Sequence, residues 1–207
     1  MRAIVLSSLT LISLASTAAA EVTLSYGATF TSRYVASGIE QSSGSAIQPW
    51  VEVGYGGAYV GLWASNVSRA GLGASAEVDL TFGYRGEAGP ISYDLGYARY
   101  FYTGPYSNCC GEIVMDLSSS PTEQSTFGLR MTYDPSADVM NAKISVDYAP
   151  TDTLGLNLAF GSISNGGHEY WTAGTSYSIN DNLSVSASWN DTNITKGVAV
   201  LSVDLAY

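Results

Sequence analysis

The stretch Val22-Thr23-Leu24-Ser25-Tyr26-Gly27-Ala28-Thr29-Phe30 carries an apolar residue at every even position and a small or polar one at every odd position. Side chains of an extended chain point alternately to its two faces, so this is a strand with one apolar face. The alternation returns in Ala76-Glu77-Val78-Asp79-Leu80-Thr81-Phe82-Gly83-Tyr84-Arg85. It returns over residues 125–133, where Phe127, Leu129, Met131 and Tyr133 share a face. Ala142, Ile144, Val146 and Tyr148 oppose Lys143, Ser145 and Asp147; Leu183, Val185, Ala187 and Trp189 oppose Ser184, Ser186, Ser188 and Asn190.

Working outward from these, twelve segments read as strands: 22–31, 47–55, 58–66, 75–86, 91–102, 111–118, 124–133, 141–149, 154–163, 170–179, 183–190 and 198–207. Most have the length of a tilted strand crossing a bilayer, about 9–11 residues. Residues 59–65 are apolar on both faces, and the alternation does not set their register.

The breaks between segments alternate in kind. Gly56-Gly57, Gly86-Glu87-Ala88-Gly89-Pro90, Ser119-Ser120-Pro121-Thr122, Ala149-Pro150-Thr151-Asp152 and Asn180-Asp181-Asn182 are tight turns built from Gly, Pro, Asn and Asp. The other breaks, led by residues 31–46, with 106–110, 135–140 and 165–169, are generally longer. Short turns on one side and longer loops on the other, with an even strand number, describe an outer-membrane barrel. Aromatic residues sort by strand end in the same way. Tyr55, Tyr84, Tyr93, Tyr148, Tyr177 and Tyr207 adjoin the tight turns or the C-terminus, and Phe30, Phe101, Tyr133, Phe160, Trp171 and Trp189 lie near the opposite ends. Two aromatic belts mark the two interfaces of a bilayer. A soluble sandwich has no reason to sort its aromatics by end.

Composition agrees. The chain is 46% hydrophobic and only 13% charged, against about 25% charged in an ordinary soluble domain. Past residue 20 there is no run of 18 apolar residues, so no spanning helix is expected. Residues 1–20 read as a secretory signal peptide. Arg2 precedes an apolar stretch over residues 3–14, and Ala18 and Ala20 sit at the small positions of a cleavage site, so the mature chain is expected to begin at Glu21. Residues 21–207 then form one transmembrane β-barrel domain. Without Arg2 there are seven basic and 18 acidic residues, which argues against a nucleic-acid partner. Cys109 and Cys110 are adjacent and read as loop chemistry without a catalytic role, with an oxidised pair or an intermolecular bridge as alternatives.

The final segment alternates through Ala199, Leu201, Val203, Leu205 and Tyr207. A terminal aromatic after such alternation resembles the signal by which barrel assembly machinery recognises its clients. The stretches Ser32-Arg33-Tyr34-Val35-Ala36-Ser37-Gly38-Ile39-Glu40-Gln41-Ser42, Ala58-Tyr59-Val60-Gly61-Leu62-Trp63-Ala64-Ser65-Asn66-Val67, the segment 76–84 quoted above and Tyr93-Asp94-Leu95-Gly96-Tyr97 resemble the TorF porin family, a bacterial family formerly catalogued as conserved proteins of unknown function. The resemblance is most specific in the first hundred residues and weaker toward the C-terminus. Members often carry a second basic residue near Val35 and Ala36, which this chain lacks. The resemblance implies an outer-membrane barrel with a pore and assigns no residue a role.

The expected fold class is thus all-β, a transmembrane antiparallel up-and-down β-barrel of about 12 strands, of outer-membrane type. Opposite each apolar face is one that must point inward, since a basic residue near mid-membrane on the lipid side costs about 2–4 kcal/mol. By parity the pore-lining set is Glu52, Glu77, Asp79, Arg85, Asp94, Glu112, Asp116, Arg130, Lys143, Asp147 and Asp204. The excess of carboxylates favours cations, although Arg85, Arg130 and Lys143 could each bridge neighbouring carboxylates and help fill the barrel. Tyr100, Tyr102 and Tyr170 face inward near the outer end and are candidates for a constriction. Arg99 has outward parity near the outer rim, where its stem can snorkel to headgroups.

Enzymatic chemistry is not expected. The sole histidine, His168, lies in Asn165-Gly166-Gly167-His168-Glu169 with no nucleophile indicated, and Ser37-Gly38-Ile39 lacks phosphate-binding spacing. No cofactor or metal site is indicated. The expected partners are outer-membrane lipid and lipopolysaccharide, the assembly machinery through the strand ending at Tyr207, and small solutes. The expected role is a passive diffusion channel in the bacterial outer membrane, weakly cation-preferring, for small cationic or neutral solutes. The alternative is a closed barrel that acts through its outer loops.

Overall fold

The computed structural model describes residues 21–68, 73–104 and 110–207. The proposed signal peptide and Cys109 lie outside the described residues; Cys110 is disulfide-bonded. No α-helix occurs among the described residues.

Twelve strands close into one antiparallel barrel: β1 (Val22–Thr31), β4 (Ala46–Tyr55), β5 (Ala58–Asn66), β6 (Ala76–Ala88), β7 (Ile91–Tyr102), β8 (Cys110–Thr122), β9 (Ser125–Asp134), β10 (Val139–Tyr148), β11 (Leu154–Ile163), β12 (Glu169–Asn180), β13 (Leu183–Thr192) and β14 (Val198–Ala206). Each pairs with its neighbours in chain order, and β1 meets β14 at the seam. Two further strands of two residues, β2 (Val35–Ala36) and β3 (Ile39–Glu40), form a small hairpin within the first long loop.

Closure pairs both edges of each of the twelve barrel strands, which is what an environment without water requires. The seam ladder covers Gly27 to Thr31 against Ser202 to Ala206. It is extended by reciprocal backbone bonds between Tyr26 and Tyr207, 3.0 and 2.8 Å, whose rings stack 5.6 Å apart.

The molecule carries its apolar side chains outside. No large side chain is fully buried among the described residues, whereas Leu24, Ile144, Leu158 and Leu201 are each 58–64% exposed. Such a surface is stable only against lipid, because contiguous apolar patches of this extent do not persist in water. Phe30, Phe101, Phe160, Trp171 and Trp189 are exposed at one end of the barrel, and Tyr55, Tyr84, Tyr148, Tyr177 and Tyr207 at the other.

The tight turns behave as their residues dictate, with two exceptions; in the first, Gly86 to Ala88 continue β6 and the chain reverses at Gly89-Pro90. Gly56 and Gly57 have φ of 57° and 90°, the paired positive values of a two-residue hairpin turn. Residues 119–122, expected as a turn, instead continue β8, and the chain reverses at Glu123-Gln124. The register shifts between Ser119 and Thr122. A bulge there accommodates Pro121, which has no N–H to give to the ladder. The register also resolves residues 59–65: Val60 and Leu62 face lipid, while Tyr59 and Trp63 face the interior with Glu52 and Trp50 on β4.

Candidate functional site: the lumen and its outer mouth

The inward faces of β4 to β10 hold nearly all the interior charge. Arg85 on β6 reaches across β5 to grip Glu52 of β4 with two hydrogen bonds, 2.8 and 2.9 Å, and meets Asp94 of β7 at 3.3 Å. Its guanidinium lies 4.1 Å from the Tyr59 ring centroid, and the Tyr59 hydroxyl donates to Asp94 at 2.7 Å. Arg130 pairs with Asp116 at 3.2 Å. Lys143 stands opposite Arg130 in the β9–β10 register. Asp147 accepts a bond from Asn157 at 2.7 Å, and Asp204 one from Thr29 at 2.6 Å. The basic side chains with interior parity therefore stand among Glu52, Asp94 and Asp116, toward the tight-turn end.

Nearer the long loops the arrangement differs. Glu77, Asp79 and Glu112 take part in none of the ion pairs among the described residues. Tyrosines serve two of them: Tyr102 donates to Glu77 at 2.6 Å and Tyr100 to Glu112 at 2.8 Å. Asp79 keeps one buried oxygen without a hydrogen-bond partner. A hydroxyl satisfies a carboxylate's lone pair but brings no counter-charge, so these acids have no basic partner among the described ion pairs.

The remaining wall is neutral. Among the described residues, Asp204 is the sole charged side chain with inward parity on β11 to β14; the rest are chiefly Gly, Ala, Ser, Thr and Asn. The lumen thus has a charged side and a small, hydroxylic side.

Across the outer mouth lies the first long loop. Its β2–β3 hairpin turns at Ser37-Gly38, with φ of 49° and 77°. At its root, Tyr34 packs edge-on against Trp63 with centroids 5.3 Å apart. Burial, reinforced by Glu77 and Asp79, pushes the Tyr34 hydroxyl well above the usual phenol range, so it remains a donor. At its tip, Asn141 of β10 donates to the Ser37 hydroxyl at 3.1 Å. His168 Nε2 lies 2.7 Å from the Ser37 carbonyl, which can only accept, so Nε2 carries the proton. Gly38 abuts Tyr170 and Thr192. Tyr170, 5% exposed, donates to Asn141 at 2.9 Å. The hairpin therefore spans from the acidic side to the neutral side.

A family model matches residues 15–204. The chain belongs to the Gcw_chp family, bacterial proteins of unknown function. No curated protein matches it. Solved structures share the fold of this Gcw_chp protein at low identity. The KdgM porin is 10% identical, with 88% of this chain and 98% of that chain covered and a TM-score of 0.68. The NanC porin is 13% identical, with 89% and 98% covered and a TM-score of 0.54. The outer-membrane protein Omp33 of Acinetobacter baumannii is 9% identical, with 89% and 97% covered and a TM-score of 0.55. The fold is that of outer-membrane porins.

Sequence reasoning missed Tyr34, Ser37, Gly38, Tyr59 and Trp63. Ser-Gly flanked by short extended pairs was a turn signal within residues 31–46. Nothing local says that a hairpin turns into a barrel mouth instead of away from it.

Proposed function

We propose that this protein is a passive diffusion channel of the bacterial outer membrane, exported by a cleaved signal peptide and preferring small cationic or neutral solutes. The observation that carries the reading is the patch of Glu77, Asp79 and Glu112, unpaired among the described ion pairs and set beside the hairpin at the mouth. Burying charge uncompensated is costly, and hydration in a water-filled passage relieves that cost. Such a carboxylate patch concentrates cations and repels anions. The likeness to porin folds and the resemblance of residues 32–42 and 58–67 to the TorF porin family support the same role. Tyr207 and its strand are the proposed contact for assembly machinery, and the apolar outer band the contact for lipid and lipopolysaccharide.

The test is single-channel recording of the mature chain in a planar bilayer under a KCl gradient. Discrete steps with a cation-selective reversal potential are expected. A second reading, a closed barrel working through its outer loops, is favoured by the hairpin lying across the mouth. It predicts no steps from a folded barrel that migrates in a heat-modifiable way.

A further inference from the structure

We propose that residues 32–45 form a strap that sets the channel's size limit, and that Ser37-Gly38 is its latch; this rests on the channel reading above.

The strap is held very unequally at its two ends. Its root is tied repeatedly. Ser42, 2% exposed, accepts the Tyr34 N–H at 2.8 Å and donates to the Gly44 carbonyl at 2.7 Å. The Gln41 N–H donates to the Tyr34 carbonyl at 2.7 Å, and the Ser68 N–H to the Gln41 carbonyl at 2.8 Å. The Tyr34 ring against Trp63 completes the anchor. The tip, by contrast, is fastened to the far wall through one residue. The bonds from Asn141 and His168 both end on Ser37 and join the hairpin to the far wall.

Gly38 makes this seat possible twice over. Its φ is +77°, and a Cβ would collide with the Thr192 methyl group and lie 2.9 Å from Tyr170 Cβ. Any side chain there must lift the tip. The wall behind the latch is uncharged; the Tyr170 ring lies over Gly161 and is held by Asn141, so a tip lifted off Tyr170 and Thr192 vacates bore on that side. Latched, the strap divides the mouth. Unlatched, it stays rooted beside the acidic patch and leaves the neutral side open.

The test uses the full mature chain in planar bilayers, reading conductance and exclusion of polyethylene glycols of graded size. Gly38→Leu is expected to raise conductance about twofold or more and to admit larger polymers, since the constriction controls flux. Ser37→Cys with Asn141→Cys, oxidised, is expected to hold the wild-type limit and suppress current fluctuations, with reductant restoring them. Wild type in the same reductant controls for the native Cys110 disulfide. Where Gly38→Leu does not assemble, Gly-Gly in place of residues 35–40 serves, because β1 to β14 pairing does not involve the hairpin. Equal conductance and equal polymer exclusion in all variants overturn the latch while leaving the channel. Silence of wild type and of every folded variant overturns the channel reading and the latch with it.

Discussion

At the scale of single residues, parity placed side chains but could not pair them. Glu77, Asp79 and Glu112 look like Glu52, Asp94 and Asp116 in the alternation, yet only the second set stands beside arginines. Neighbouring strands decide this, because Arg85 reaches Glu52 across an intervening strand. Changing Glu77, Asp79 and Glu112 together to their amides should shift the reversal potential toward zero, lowering the cation-to-anion permeability ratio roughly two- to threefold. Unchanged selectivity would place the filter elsewhere. Arg85→Ala should cost about 1 kcal/mol, the scale for a partly exposed pair, read from urea unfolding in detergent. Its effect on selectivity should run the other way, since it frees Glu52 and Asp94.

At the scale of elements, almost every strand was legible because membrane barrels impose the strictest alternation that a chain can carry. Two strands ran on past their expected ends: β6 through Gly86 to Ala88, and β8, where Ser119-Ser120-Pro121-Thr122 has the composition of a turn and the structure makes it a bulge. Turn composition reports that a ladder bond is missing; it does not report whether the chain then reverses. The two faces of a strand should respond oppositely to charge. Leu158→Arg, on the lipid side of β11, should destabilise by about 2–4 kcal/mol, whereas Ser186→Arg, on the lumen side of β13, should leave stability within about 0.5 kcal/mol. Equal costs measured by unfolding would contradict the assigned faces. At the seam, deleting Tyr207 removes a ring stack and two backbone bonds with Tyr26. A loss of about 1–2 kcal/mol and slower folding into vesicles are expected.

At the scale of the whole molecule, the interior is divided into a charged side and a neutral side, and the proposed channel would have both. The proposed selectivity is electrostatic, so it should weaken as salt screens it. The screening length falls from about 10 Å at 0.1 M to about 3 Å at 1 M. Cation preference measured at 0.1 M KCl should therefore exceed that at 1 M; a ratio independent of salt would point to size alone. Sequence by itself pointed to about 12 barrel strands, to the outward and inward faces of those other than β5, and to the two aromatic belts. Each follows from period-two alternation along one strand, a local property that bilayer thickness and the cost of unpaired backbone leave little freedom to vary. Only the tertiary structure decided which carboxylates are neutralised, that uncharged residues gather on one wall, and that residues 32–45 cross the mouth to Asn141 and His168. The ion pairs join residues on different strands, and the bonds from Ser37 to Asn141 and His168 span more than a hundred positions; strand pairing and barrel closure bring them together, and no local pattern encodes them.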